Sequence, residues 1–355
     1  LDEKREIVLD VNQLAKSSAY YSLGDFSVSP DGNWVAFTED RTGEQLYHLR
    51  ILQIATGEEL DTVDEPVGAS IAWFANQALY YLPGGRQVAR LAPFSGISTL
   101  LYDEKDPSFH LHLRLSSDAR YVLVTARNPV STEIRLVDKG GQQTVVSPRQ
   151  VGHHYQIRLA DGYVYAITNR RQPNYELSRA RFGKLSDWTY YETPPGTITD
   201  FEIFGDSVVL LIEDRLISKL YVLRLPNDLL LLSSSGQAET LRLSSNPNPT
   251  SKYVKIVRSG PHFPDQNEVI ELATGKSEIL PLRSSQVPSP LKARREWYTS
   301  RDGTRVPITW LTTPDTLDPA PVLITVYGAY GVPQNQGYQP QLGPLLKQGL
   351  AIVQI

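Results

Sequence analysis

The sequence predicts a mainly β protein: a β-propeller of seven blades, six of them recognisable, followed by the start of an α/β domain. Three observations predict it. Short apolar strands alternate with Asp-Gly and other turn residues at a period of roughly 40–50 residues, the propeller range. Almost no long helical periodicity interrupts them before Leu282. Beyond that point the texture changes, and an unbroken apolar run, Val322-Leu-Ile-Thr-Val326, leads into a tyrosine- and glycine-rich turn.

The first unit sets the pattern. Phe26-Ser-Val-Ser runs into Pro30-Asp31-Gly32 and then Trp34-Val-Ala-Phe37, which reads as strand, tight turn, strand. Tyr47 to Leu52 and the turn Ala55-Thr56-Gly57-Glu58 complete a four-stranded meander. A degenerate copy follows at Ile71-Ala-Trp-Phe74 and Ala78-Leu-Tyr-Tyr81. Arg114 to Val137 with Asp138-Lys-Gly140-Gly141, and Ile157 to Ala180 around Asp161-Gly162, give two more. Phe201 to Arg224 around Gly205-Asp206, and Tyr253 to Lys276 with Ala273-Thr274-Gly275, complete six. Each such sheet hides one face against its neighbour, so several are needed before any is stable. Repeated hairpins also build sandwiches and β-helices; the Ser-Pro-Asp-Gly turn followed by Trp-Val-Ala-Phe is the more particular signal for blades.

The polar, proline-bearing stretch Arg283 to Pro290 reads as a domain boundary. Residues 1–288 are expected to form the propeller with its lead-in, and residues 289–355 the first part of the second domain. There Arg301-Asp302-Gly303-Thr304 predicts a hairpin. The run Val322 to Val326 predicts a strand covered on both faces, as in an α/β sheet. Gln341 to Gln348 reads as a helix stopped by Gly349, and Leu350 to Ile355 as the next buried strand.

Composition excludes several classes. A formal charge of −4 argues against a nucleic-acid partner. No apolar run reaches membrane-spanning length, and Leu1 onward carries no basic region followed by an apolar core. With no cysteine, neither a disulfide nor a thiolate zinc site can form within these residues, which fits a cytoplasmic protein without excluding a periplasmic one. The chain also has no methionine, for which we have no physical account.

No complete active site is legible. There is no Gly-x-Ser-x-Gly nucleophile elbow and no phosphate-binding glycine loop, and no cofactor is expected. The histidines are His48, His110, His112, His153, His154 and His262. His110 and His112 have the spacing of ligands on a strand, yet neither they nor His153-His154 have a convincing third ligand, so no metal is expected. The informative segment is Val326-Tyr327-Gly328-Ala329-Tyr330-Gly331. Such a turn can simply close a strand and pack a ring. It can also hold a tyrosine hydroxyl at the carboxyl end of a sheet strand, where α/β folds place their sites and where a donor can meet a developing oxyanion.

The ordered set "YSLGDFSVSPDGNWVAFTED", "TEIRLVDK", "YAITNRRQPNYELSRA", "SRDGTRVPITW", "PVLITVYGAYG" and "GLAIVQI" resembles the prolyl oligopeptidase family of serine peptidases, most of all its oligopeptidase B branch. The resemblance implies a propeller followed by an α/β-hydrolase domain. It implies a peptidase that cleaves short peptides through an acyl-enzyme, with the propeller capping the site against folded proteins. Tyr327 then matches the tyrosine that, with a backbone amide, forms the oxyanion hole, and Tyr330 matches the aromatic residue beside the substrate pocket. The family's serine, aspartate and histidine would lie past Ile355, so residues 1–355 alone are expected to be inactive.

One departure stands out. The oligopeptidase B branch carries two acidic residues after this turn, which receive a basic substrate side chain; here Asn335 and Gly337 stand in their place. Asn335 is thus a candidate substrate contact of weaker cation affinity, and a strong preference for paired basic residues is not expected. Dipeptidyl peptidase relatives hold a free amino terminus with paired glutamates on a helical insertion. The pair Glu58-Glu59 falls in a blade turn instead. A propeller serving purely as an interaction scaffold is the rival of a different class. It predicts no hydrolase sheet after Leu282. The oligomeric state is open.

Overall fold

The computed structural model describes residues 7–60, 63–281, 291–329 and 337–355. The expected boundary segment Arg283 to Pro290 lies outside the described residues, as do Tyr330 and Asn335. A short helix, Val11–Ala15, is capped by Asp10, whose carboxylate accepts from the amides of Asn12 and Gln13. Among the described residues six four-stranded sheets then follow one another, each a meander in chain order: 22–60, 72–103, 110–145, 155–191, 197–234 and 240–279. These are the blades of a β-propeller. The stretch read as degenerate, 72–103, is a full blade whose short first strands, Ala72–Phe74 and Ala78–Tyr81, are buried at every position.

The turns show why the sequence folds this way. In the first blade Ser29 Oγ donates to Asp31 (2.6 Å) and accepts from the Trp34 amide (3.0 Å), closing the turn over Gly32 at φ 74°. The third blade repeats the device: Ser116 Oγ donates to Asp118 (2.6 Å) and accepts from the Tyr121 amide (3.0 Å). Side chains here replace backbone partners that a tight turn leaves open. Asp161-Gly162, at φ 50° and 76°, joins paired Ala160 and Tyr163 as a two-residue hairpin turn of the kind that favours Asp-Gly.

Contacts divide the chain into two compact units, Leu1–Arg170 with Arg179–Trp188, and Arg171–Ser178 with Thr189–Ile355. In the first unit, apolar clusters lie between consecutive blades. Leu49, Ile51, Trp73 and Leu79 join the first two, Tyr80, Val88, Leu113 and Val124 the next two, and Leu136, Ile157 and Val164 the third pair. In the second unit Val209, Val222, Val254 and Ile270 do the same for the fifth and sixth blades. The second and third blades thus bury apolar residues on both faces, stabilised by their neighbours rather than alone.

The second unit ends in a sheet of another kind. Lys292–Thr299 and Arg305–Thr312 form the hairpin predicted around Gly303, at φ 84°. Val322–Thr325 and Ala351–Gln354 pair in parallel, joined by a crossover through the 3-10 turn Pro340–Leu342 and the helix Gly343–Lys347. Gly349 ends that helix at φ 85°, as the sequence predicts. The row Leu311, Ile352 and Leu323 packs beneath Leu345 and Leu346. The other face departs from the reading of Val322 to Val326 as covered on both sides: Val322, Ile324 and Val326 are exposed among the described residues. Among those residues no helix is long and apolar enough to cross a membrane.

Candidate functional site

Counted along the chain, the four strands of the C-terminal sheet lie in the order first, second, fourth, third. Only the third and fourth run parallel, and the second is antiparallel to both the first and the fourth. This order puts the carboxyl end of the third strand at one edge of the sheet. Ile355 donates its amide to the Thr325 carbonyl (3.0 Å), so the ladder holds until the chain turns away.

Tyr327 stands two residues beyond that strand end, with 54 % of its surface exposed. Gly328 follows at φ 63°, where, among the described residues, a Cβ would meet only a Val326 methyl at 3.6 Å. The backbone conformation, not space, calls for glycine there. The phenol is therefore presented on a sharp turn at the strand's carboxyl end, where α/β sheets place their ligand sites. The return path is anchored: the Tyr338 amide donates to Ser259 Oγ (3.3 Å) in the sixth-blade strand Tyr253–Gly260.

Three of the histidines are held by hydrogen bonds within or between blades. His153 is buried, bonds Thr168 Oγ1 through Nε2 (2.9 Å) and stacks on Tyr155 at 4.9 Å between centroids; burial lowers its pKa. His154 bonds Thr132 Oγ1 (3.0 Å) and the Pro129 carbonyl (3.2 Å), and His112 bonds Ser70 Oγ (3.1 Å). Among the described residues no group of three or more His, Asp or Glu side chains is arranged to hold a metal. Glu59, of the Glu58-Glu59 pair, forms two 2.6 Å bonds with Arg50 across its own blade. Asn169, in the stretch "YAITNRRQPNYELSRA", accepts from the His154 amide (2.7 Å) and donates to the Gly152 carbonyl (2.9 Å).

Comparison with known proteins decides the family. A family model described as "Prolyl oligopeptidase, N-terminal beta-propeller domain" matches residues 2–235. The chain belongs to the prolyl oligopeptidase family. Dipeptidyl aminopeptidase BI of Pseudoxanthomonas mexicana is 25 % identical over 369 residues, covering 97 % of this chain and 51 % of that protein. Protease 2 of Moraxella lacunata is 24 % identical, covering 99 % of this chain and 54 % of that protein. The structure of oligopeptidase B from Leishmania major superposes with a TM-score of 0.89 at 18 % identity, over 99 % of this chain and 55 % of that one. The chain thus spans about half the length of the prolyl oligopeptidase relatives it matches. These relatives are named as peptidases, and the structural likeness extends through the C-terminal sheet as well as the propeller.

Proposed function

We propose that this chain is the propeller and the first hydrolase strands of a serine oligopeptidase that cleaves short peptides through an acyl-enzyme. In this reading residues 1–288 form the propeller and gate access, and residues 289–355 open the hydrolase domain. The serine, aspartate and histidine lie beyond Ile355 in the full-length protein. The observation that carries the reading is Tyr327, exposed on the turn after the third strand of a sheet ordered first, second, fourth, third. Serine attack on a peptide carbonyl moves charge onto its oxygen, and the Tyr327 hydroxyl would donate to that oxyanion alongside a backbone amide. Tyr330 and Asn335 would line the substrate pocket. Asn335 offers a neutral amide where a carboxylate would attract a cation, so any preference for basic residues would come from the rest of the pocket.

The full-length protein should therefore hydrolyse short reporter peptides. A panel with Arg, Lys, Pro or Ala before the reporter would define the preference. A larger folded substrate carrying the same residues should resist cleavage. Failure of a folded full-length protein to cleave any of these peptides would remove the peptidase reading and favour an interaction scaffold.

A further inference from the structure

Away from Tyr327, the second unit contains a cleft of about 640 Å³ lined by Arg215, Ile217, Gln237, Arg295, Trp297 and Arg305. Arg215 and Ile217 come from the fifth blade, Gln237 from the link to the sixth, and the rest from the first hairpin of the C-terminal sheet. On the outer strand, Arg295 and Trp297 point to the same face, two residues apart. Arg305 pairs with Thr299 on that face, and its guanidinium lies 5.5 Å from the centre of the Trp297 ring. Three guanidiniums thus converge on one cleft with no carboxylate among its described lining residues.

Two of the three keep their charge available, while Arg295 is held in place. Glu213 acts on Arg295, and Arg295 is anchored through Nη1 to the Leu216 carbonyl (3.2 Å). Asp214, beside Arg215, is engaged by Lys219 at 2.8 Å. Neither Arg215 nor Arg305 has an ion-pair partner among the described residues. Arg215 and Leu216 also form the two-residue turn between paired Asp214 and Ile217, at φ 50° and 65°. Such turns ordinarily take Asn-Gly, because an L-residue in the left-handed region is strained. Strain of this kind collects at functional sites.

We propose that this cleft binds a multiply charged oxyanion of the phosphoryl class. Arg215 and Arg305 supply charge-assisted donors, Arg295 the fixed positive floor, and Trp297 an apolar wall. The outer strand lies across the sheet from Val322–Thr325, with two strands between, so the ligand would not be the scissile peptide. It would instead join the fifth blade to the C-terminal sheet.

The test is binding of inorganic pyrophosphate to the full-length protein, followed by calorimetry and by tryptophan fluorescence, with Trp297→Phe to assign the optical signal. Saturable binding at sub-millimolar concentration, weakened by salt and reduced about ten- to a hundredfold in an Arg215→Gln, Arg305→Gln double variant, is expected. Both arginines are exposed, so the variant should fold. A nucleoside triphosphate that binds tighter and quenches Trp297 would support the site and name a nucleotide as the source; equal affinity would support it and name free polyphosphate. No saturable binding at millimolar pyrophosphate would overturn the proposal. So would an affinity that the double variant leaves unchanged.

Discussion

Ile324 and Val353 are register partners in a parallel ladder, yet Val353 is 2 % exposed and Ile324 is 61 % exposed. Val353 lies between Trp310 and Ile324, and this apolar row forms the face opposite the helix-covered Leu311, Ile352 and Leu323. An edge strand of β-branched residues left open on one face calls for further packing. In the proposed hydrolase domain, chain beyond Ile355 supplies that cover. Ile324→Asp in the full-length protein should then cost about 2–4 kcal/mol, read as a fall in the urea midpoint. A change within about 0.5 kcal/mol, as expected of a solvated surface position, would show that this face stays open.

Glu104 offers a second test, in the propeller. Its carboxylate is 4 % exposed, accepts from Tyr102 Oη (2.6 Å) and is gripped by Arg149 through both oxygens. Burial pushes its pKa up, but the Arg149 and Tyr102 hydrogen bonds outweigh it and hold the group at about 2. A carboxyl held below its unfolded value stabilises the fold above that value, and this stability is lost as pH falls from about 4.5 through about 2. Glu104→Gln should therefore lower stability at neutral pH by about 3 kcal/mol and flatten the acid limb of a stability–pH profile. An unchanged acid limb would assign the acid sensitivity elsewhere.

The paired Ser–Asp turns make a third. Gly32 and Ala119 hold equivalent places, at φ 74° and 54°, but alanine carries the left-handed strain that glycine avoids. Ala119→Gly should stabilise the third blade by about 0.5–1 kcal/mol, and Gly32→Ala should destabilise the first by a similar amount. Among the described residues nothing lies within 4 Å of a Cβ added at Gly32, so crowding would not confound the comparison. Opposite signs in thermal or urea unfolding are expected; equal signs would contradict the shared turn device.

These turns also show what the sequence makes legible. Ser29-Pro30-Asp31-Gly32 and Asp161-Gly162 announce themselves because a turn's demands on φ and on hydrogen bonding are met by residues a few positions apart. The crossover before Ala351–Gln354 was readable for the same reason, from a helix closed by Gly349. The tie between Glu104 and Arg149 spans 45 positions and leaves no local pattern. Arg215 and Arg305 are further apart still, and only the folded sheet brings them to one cleft. The open face at Ile324 could not be read either: a β-branched run states what a strand can bury, not which chain buries it. As for the candidate site, the place of Tyr327 after an apolar strand and before Gly328 is legible in the sequence while its role is a proposal, and Tyr330 and Asn335 lie outside the described residues.

The role of Tyr327 is tested most directly by steady-state kinetics of the full-length protein and its Tyr327→Phe variant on one short peptide substrate. Phenylalanine keeps the ring and removes only the hydroxyl. An oxyanion donor acts in the transition state, so kcat should fall about 10²–10³-fold with KM little changed. A variant within about twofold of the parent in kcat would contradict the assignment and leave Tyr327 as a surface ring on a strand-closing turn.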